Sequence, residues 1–111
     1  MESLKESWSS TVEIVEVNEP KFIIPGFIDS HIHAPQYSFT GTGYDLPLLD
    51  WLNKYTFPTE CQLSDADLAN RVYSDVIKRT LANGTTTASY YATIDLETTK
   101  LLVKLLYKAG Q

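Results

Sequence analysis

The chain has 111 residues, 43% hydrophobic and 21% charged, with a formal net charge of -5 at pH 7. That balance excludes a disordered chain and a membrane-spanning one, and the acidic excess argues against a nucleic-acid partner. A single cysteine, Cys61, excludes an internal disulfide and fits a reducing, cytoplasmic setting.

Met1 to Pro20 lacks the apolar core that a signal peptide needs. Within it, Thr11 to Val17 (TVEIVEV) alternates apolar and polar residues and predicts a half-exposed strand. Phe22, Ile23, Ile24, Phe27 and Ile28 form a nearly continuous apolar run, as expected of a strand covered on both faces in a parallel sheet. Pro25 and Gly26 interrupt that run and suggest a bend. Pro47 to Tyr55 predicts a short helix with Pro47 in its first turn and Leu48, Leu49 and Leu52 on its apolar side.

Ser64 to Ala82 predicts a longer helix. Ser64 is the expected N-cap, Asp65 and Asp67 favour the positive end of the dipole, and Gly84 supplies the stop. Leu68, Val72, Val76 and Ile77 form its buried stripe, while Lys78-Arg79 belongs to a solvated face. Asn83-Gly84-Thr85 fits a glycosylation sequon but reads as a helix stop followed by a strand, Thr85 to Thr93. Thr98 to Lys108 predicts a last helix, with Leu101, Leu102, Leu105 and Leu106 at core spacing and Gly110 after its end. The order is a β-α-β-α opening, which predicts a parallel strand pair with a right-handed crossover.

The chemistry concentrates in Pro25-Gly26-Phe27-Ile28-Asp29-Ser30-His31-Ile32-His33. His31 and His33 are the only histidines in the chain. At i, i+2 on a strand they emerge on one face and can share a divalent metal, most often zinc. Two surface histidines paired by chance are the alternative reading. Two ligands also leave a metal site incomplete. Asp29 would share their face, as a supporting carboxylate. Metal ligands at the C-terminal end of a strand match a (β/α)8 barrel active site, a fold of about 250 residues.

PGFIDSHIHA resembles the first barrel strand of the amidohydrolase superfamily. HAPQYSFTGTGYDLPLLDWLNKYTFPTE (33–60) and NGTTTASYYATI (83–94) narrow the resemblance to the guanine deaminase family, over residues 22–111. The resemblance implies an α/β fold: residues 22–111 as the opening β-α-β-α portion of a metal-dependent-hydrolase (β/α)8 TIM barrel. Residues 1–21 form an N-terminal segment, left open as a strand of a small accessory sheet. The implied reaction is guanine plus water to xanthine plus ammonia, through a water activated by one Zn2+ per subunit of the complete enzyme. His31 and His33 would be metal ligands. The other ligands and the acid–base groups would lie beyond Gln111, so no catalytic residue is expected within this chain. A homodimer of the complete enzyme is left open, and neither nucleic acid nor membrane is expected as a partner.

The same resemblance implies that His33 and Gln36 bind substrate. A carboxamide both donates and accepts, which suits the mixed edge of guanine, and Gln36 leaves the strand three residues after His33. The plainer reading is a loop glutamine facing solvent. Pro35 departs from the small residue usual in the family and would stiffen the loop. Leu46 and Trp51 are further candidates for the apolar wall around the base, with helix-to-barrel packing as the other reading of Trp51. Tyr90 and Tyr91 read as packing, facing opposite ways. Two other functions stay open: an inactive half-barrel or binding fragment, and another amidohydrolase such as a cytosine or triazine deaminase. The HAPQ loop and the DLPLLDWL stretch favour guanine.

Overall fold

Strand β1 (Phe27–His33) pairs in parallel with strand β2 (Thr85–Tyr91), and helices carry the chain between them. The structure, a computed structural model, describes residue 13 and residues 15–111. After β1 come a 3-10 helix (Ala34–Phe39), α1 (Leu48–Trp51), a π turn (Leu52–Thr56), α2 (Phe57–Gln62) and α3 (Ala66–Ala82). Helix α4 (Leu96–Ala109) follows β2. The architecture is mixed α/β, and the predicted parallel pair is present. Among the described residues the sheet has two strands, and no barrel closes around it.

The N-terminal expectations change most. Thr11, Val12 and Ile14 of the predicted strand lie outside the described residues, and Glu13 and residues 15–17 belong to no strand. The apolar run from Phe22 is not a strand until Phe27, and Phe22 and Ile28 are 78% and 76% exposed. Covered faces need neighbours on both sides, and among the described residues Tyr90 of β2 packs on the helical core while Tyr91 stays 47% exposed. At the bend, Gly26 is required by close approach: a Cβ there would collide with the Thr86 side chain.

The helical stretch after Pro47 is longer than the sequence predicts. Pro47 caps α1 with extended backbone, and Trp51, Leu52, Thr56 and Phe57 all keep right-handed helical dihedrals, so the coil runs on to Gln62. Pro58 has no N–H to give to the preceding turn, and the π turn that precedes it absorbs the break. Helix α3 starts one residue later than predicted. Asp65 rather than Ser64 is its N-cap, its carboxylate accepting the Leu68 N–H at 2.9 Å. Ser64 instead turns back, its hydroxyl donating to the Cys61 carbonyl at 2.8 Å. Gly84, at φ +91°, ends the helix as predicted and lets β2 begin at Thr85.

The core lies between α3, α4 and the 3-10 helix. Ala34, Leu63, Ala69, Tyr73, Val76, Ile77 and Leu102 are buried together, with Leu68, Val72, Leu101, Leu105 and Leu106 packed around them. Burial pushes the Tyr73 phenol above its usual value; the nearby Thr93 and Thr98 hydroxyls pull the other way. Asp95 caps α4 by accepting both the backbone N–H and the hydroxyl of Thr98 at 2.8 Å, which holds its carboxyl below the usual value. Gln111 ties α4 back to the sheet. Its amide donates to the Thr85 carbonyl at 2.7 Å and to Thr80 Oγ1 at 3.1 Å, and its oxygen accepts from Tyr90 Oη at 2.8 Å.

Candidate metal centre

The site is built at the C-terminal end of β1, on the sheet face opposite the helices. His31 Nε2 and His33 Nε2 stand 2.9 Å apart. Two nitrogens each about 2.0–2.1 Å from one zinc stand roughly 2.8–3.4 Å apart for bite angles from square to tetrahedral. The pair therefore fits two adjacent positions around a single ion. In the structure the two rings share a hydrogen bond, one nitrogen donating and the other accepting. Among the described residues, no set of three or more His, Cys, Asp or Glu side chains converges on one point.

A bulge brings the pair into place. Between Asp29 and Ile32 β1 has one residue more than β2 has between Ala88 and Tyr90, its register partners. The Asp29 carboxylate closes the bulge by accepting the His31 backbone N–H at 3.0 Å. Asp29 thus holds the backbone at the first histidine.

Beyond the bulge, His33 lies opposite Tyr91 on β2. The Tyr91 ring stacks on both imidazoles, with centroids 4.3 Å from His31 and 4.8 Å from His33. Tyr90 faces the other way, into the Thr80–Gln111 cluster. Reading the sequence separated the two tyrosines by face but did not place Tyr91 on the histidines. The signal was parity: only one of two adjacent strand residues can share a face with His33, and register decides which.

Gln36 sits in the 3-10 helix that leaves β1. Pro35 is fully buried in the first turn of that helix, where its missing N–H is tolerated. The Gln36 backbone carbonyl accepts from Thr40 Oγ1 at 3.1 Å, while its carboxamide makes no hydrogen bond among the described residues. Leu46 and Trp51 come together in a recess of about 310 Å³ that Gly43, Tyr44 and Leu48 also line. The Trp51 indole is fixed there: Nε1 donates to the Thr42 carbonyl at 2.9 Å and the ring meets Phe39 edge-on at 5.4 Å.

The sequence model of the amidohydrolase family matches residues 22–109. The chain belongs to the amidohydrolase family. It is 50% identical to the guanine deaminases of Rattus norvegicus and Homo sapiens over 111 residues, covering 99% of this chain and 24% of theirs. With the guanine deaminase of Dictyostelium discoideum identity is 58% over 91 residues, 82% of this chain and 20% of that one. The crystal structure of the guanine deaminase from C. acetobutylicum, which has guanine bound in its active site, superposes with a TM-score of 0.76 at 44% identity. That match covers 78% of this chain and 21% of that one. The chain is a guanine deaminase homologue, and it spans about a quarter of the length of the mammalian relatives. No helix among the described residues is long and apolar enough to cross a membrane.

Proposed function

We propose that this chain supplies the opening part of a guanine deaminase active site, in a protein that hydrolyses guanine to xanthine and ammonia. The observation that carries the reading is the 2.9 Å separation of the His31 and His33 nitrogens at the end of a parallel strand. In this reading residues 22–111 are the first strands and helices of a (β/α)8 barrel, and residues 1–21 form a separate N-terminal segment.

His31 and His33 would hold zinc through Nε2, as neutral donors. Bound zinc would supply Lewis acidity and make water a nucleophile near neutral pH. His33 would also border the substrate, and Gln36 would read the guanine edge with its unengaged carboxamide. Leu46 and Trp51 would wall the base, with the Thr42 and Phe39 contacts keeping the indole in place. Two nitrogen donors alone hold zinc loosely, so the activity belongs to a chain that brings further ligands and the acid–base groups. Identity of 50–58% with guanine deaminases, together with the HAPQ and DLPLLDWL stretches, supports guanine over the pyrimidine or triazine ring of other amidohydrolases.

The test is zinc content and ammonia release from guanine in the protein expressed at its natural length. His33→Ala should remove both. Near-normal zinc and turnover in that variant would overturn the metal assignment.

A further inference from the structure

We infer that Tyr91 is a positioning residue that sets the ring planes of His31 and His33 for metal capture. The inference rests on the metal-site reading above and adds to it a residue from the second strand. A histidine ring turns broadly about its outer torsion, so two imidazoles on one strand do not by themselves point their nitrogens at a common spot. Here both rings lie on a single phenol. Their planes are inclined 27° and 18° to that of Tyr91 and 45° to each other, so the tyrosine plane falls between the two. The arrangement holds the Nε2 atoms 2.9 Å apart.

The aromatic face supplies the constraint. Tyr91 Oη makes no hydrogen bond among the described residues, so the hydroxyl fixes neither histidine. Delivery of the ring depends on the sheet register, which sets Tyr91 opposite His33: the extra residue of β1 between Asp29 and Ile32 offsets the opposite shift between Phe27 and Ile28 and restores the pairing begun by Phe27 and Thr85. The bulge and the stack thus work together: one re-aims the backbone, the other limits rotation of the rings. Residues that orient metal ligands commonly change metal affinity by about 10–100-fold when removed.

The experiment compares the wild-type protein at natural length with Tyr91→Phe, Tyr91→Leu and Tyr91→Ala. Zinc affinity is read by competition with a chromophoric chelator, and ligand geometry by the visible spectrum of the cobalt-substituted protein. Tyr91→Phe should stay within about twofold of wild type and keep its spectrum. Tyr91→Leu, which retains apolar volume in β2 without a flat ring, should bind about tenfold more weakly and shift the cobalt bands. Tyr91→Ala should do the same, and Tyr91→Leu decides if the alanine variant fails to fold. Unchanged affinity and spectrum in Tyr91→Leu would overturn the positioning role while leaving the metal reading intact. A wild-type protein that takes up no zinc would instead overturn the metal reading beneath it.

Discussion

The Asp29 carboxylate accepts the backbone N–H of His31 at 3.0 Å, so the residue two places before the first histidine fixes the backbone on which that histidine stands. A bulge leaves one backbone group without its ladder partner, and a side-chain acceptor two residues away satisfies it. The bond acts on position rather than on the metal. Asp29→Ala should loosen the bulge and speed loss of zinc to a chelator, whereas Asp29→Asn, which keeps an acceptor, should stay near wild type. An Asp29→Ala rate equal to that of wild type would show that the carboxylate has no part in holding the site.

Gln36 carries the next expectation. Its carboxamide is free of internal bonds, so removing it leaves no buried partner unsatisfied. Gln36→Ala should therefore raise the KM for guanine by about tenfold, the loss of one well-made hydrogen-bonding group, while zinc content stays near wild type. Loss of zinc in this variant would move Gln36 from the substrate to the support of the metal site.

Gln111 links three elements through one side chain. Gln111→Ala removes donors from the Thr85 carbonyl and Thr80 Oγ1 and the acceptor of Tyr90 Oη. Stability in urea should fall by about 1–3 kcal/mol, because these groups are partly buried. Combining it with Tyr90→Phe should cost less than the sum of the two single changes, since both delete the same bond. Strict additivity would mean that the cluster does not act as a unit.

Asp95 makes stability depend on acidity in a defined direction. Its folded carboxyl is held below the ordinary value of 3.8, first by the Thr98 N–H and then by the Thr98 hydroxyl. Its contribution is therefore complete above that value and is lost as pH falls through the folded one. Asp95→Asn should be less stable than wild type at pH 7, and the gap should close as the pH is taken below 3.8. A gap that is constant with pH would mean that the carboxylate charge is not what Thr98 stabilises.

The sequence made one part of this arrangement easy to read. Period two along β1 places His31 and His33 on one face, and local rules of capping and glycine placement give α3, β2 and α4 nearly as observed. Asp65 displaced Ser64 as the cap because two competent acceptors stand side by side and only geometry chooses between them. The apolar run from Phe22 misled for a different reason: apolarity marks what needs covering, and among the described residues little covers it. Tyr91 lay out of reach because its contact with His33 crosses 58 residues of chain and depends on two opposite shifts in register that cancel. The π turn was equally hidden, since Pro58 ordinarily argues for a helix end.

That turn leaves a mark on how this segment tolerates change. A π turn holds one residue more than the α-helix around it needs, so the stretch from Leu52 to Thr56 contains a ready-made insertion. Deleting one residue there would restore regular winding and leave everything beyond it near its present face relative to Trp51, because an α-helix reaches the same angle in one residue fewer than a π turn. Trp51 and Tyr55 now meet Phe39 from the same side, at 5.4 and 6.0 Å. After deletion of Asn53 or Lys54 the tyrosine would stand three residues beyond Trp51, still on the same face of the helix, and the aromatic clamp on the 3-10 helix that carries Gln36 would persist. Length at this turn is therefore less constrained than composition: a one-residue deletion between Leu52 and Tyr55 should pass, whereas loss of the Trp51 or Tyr55 ring should not.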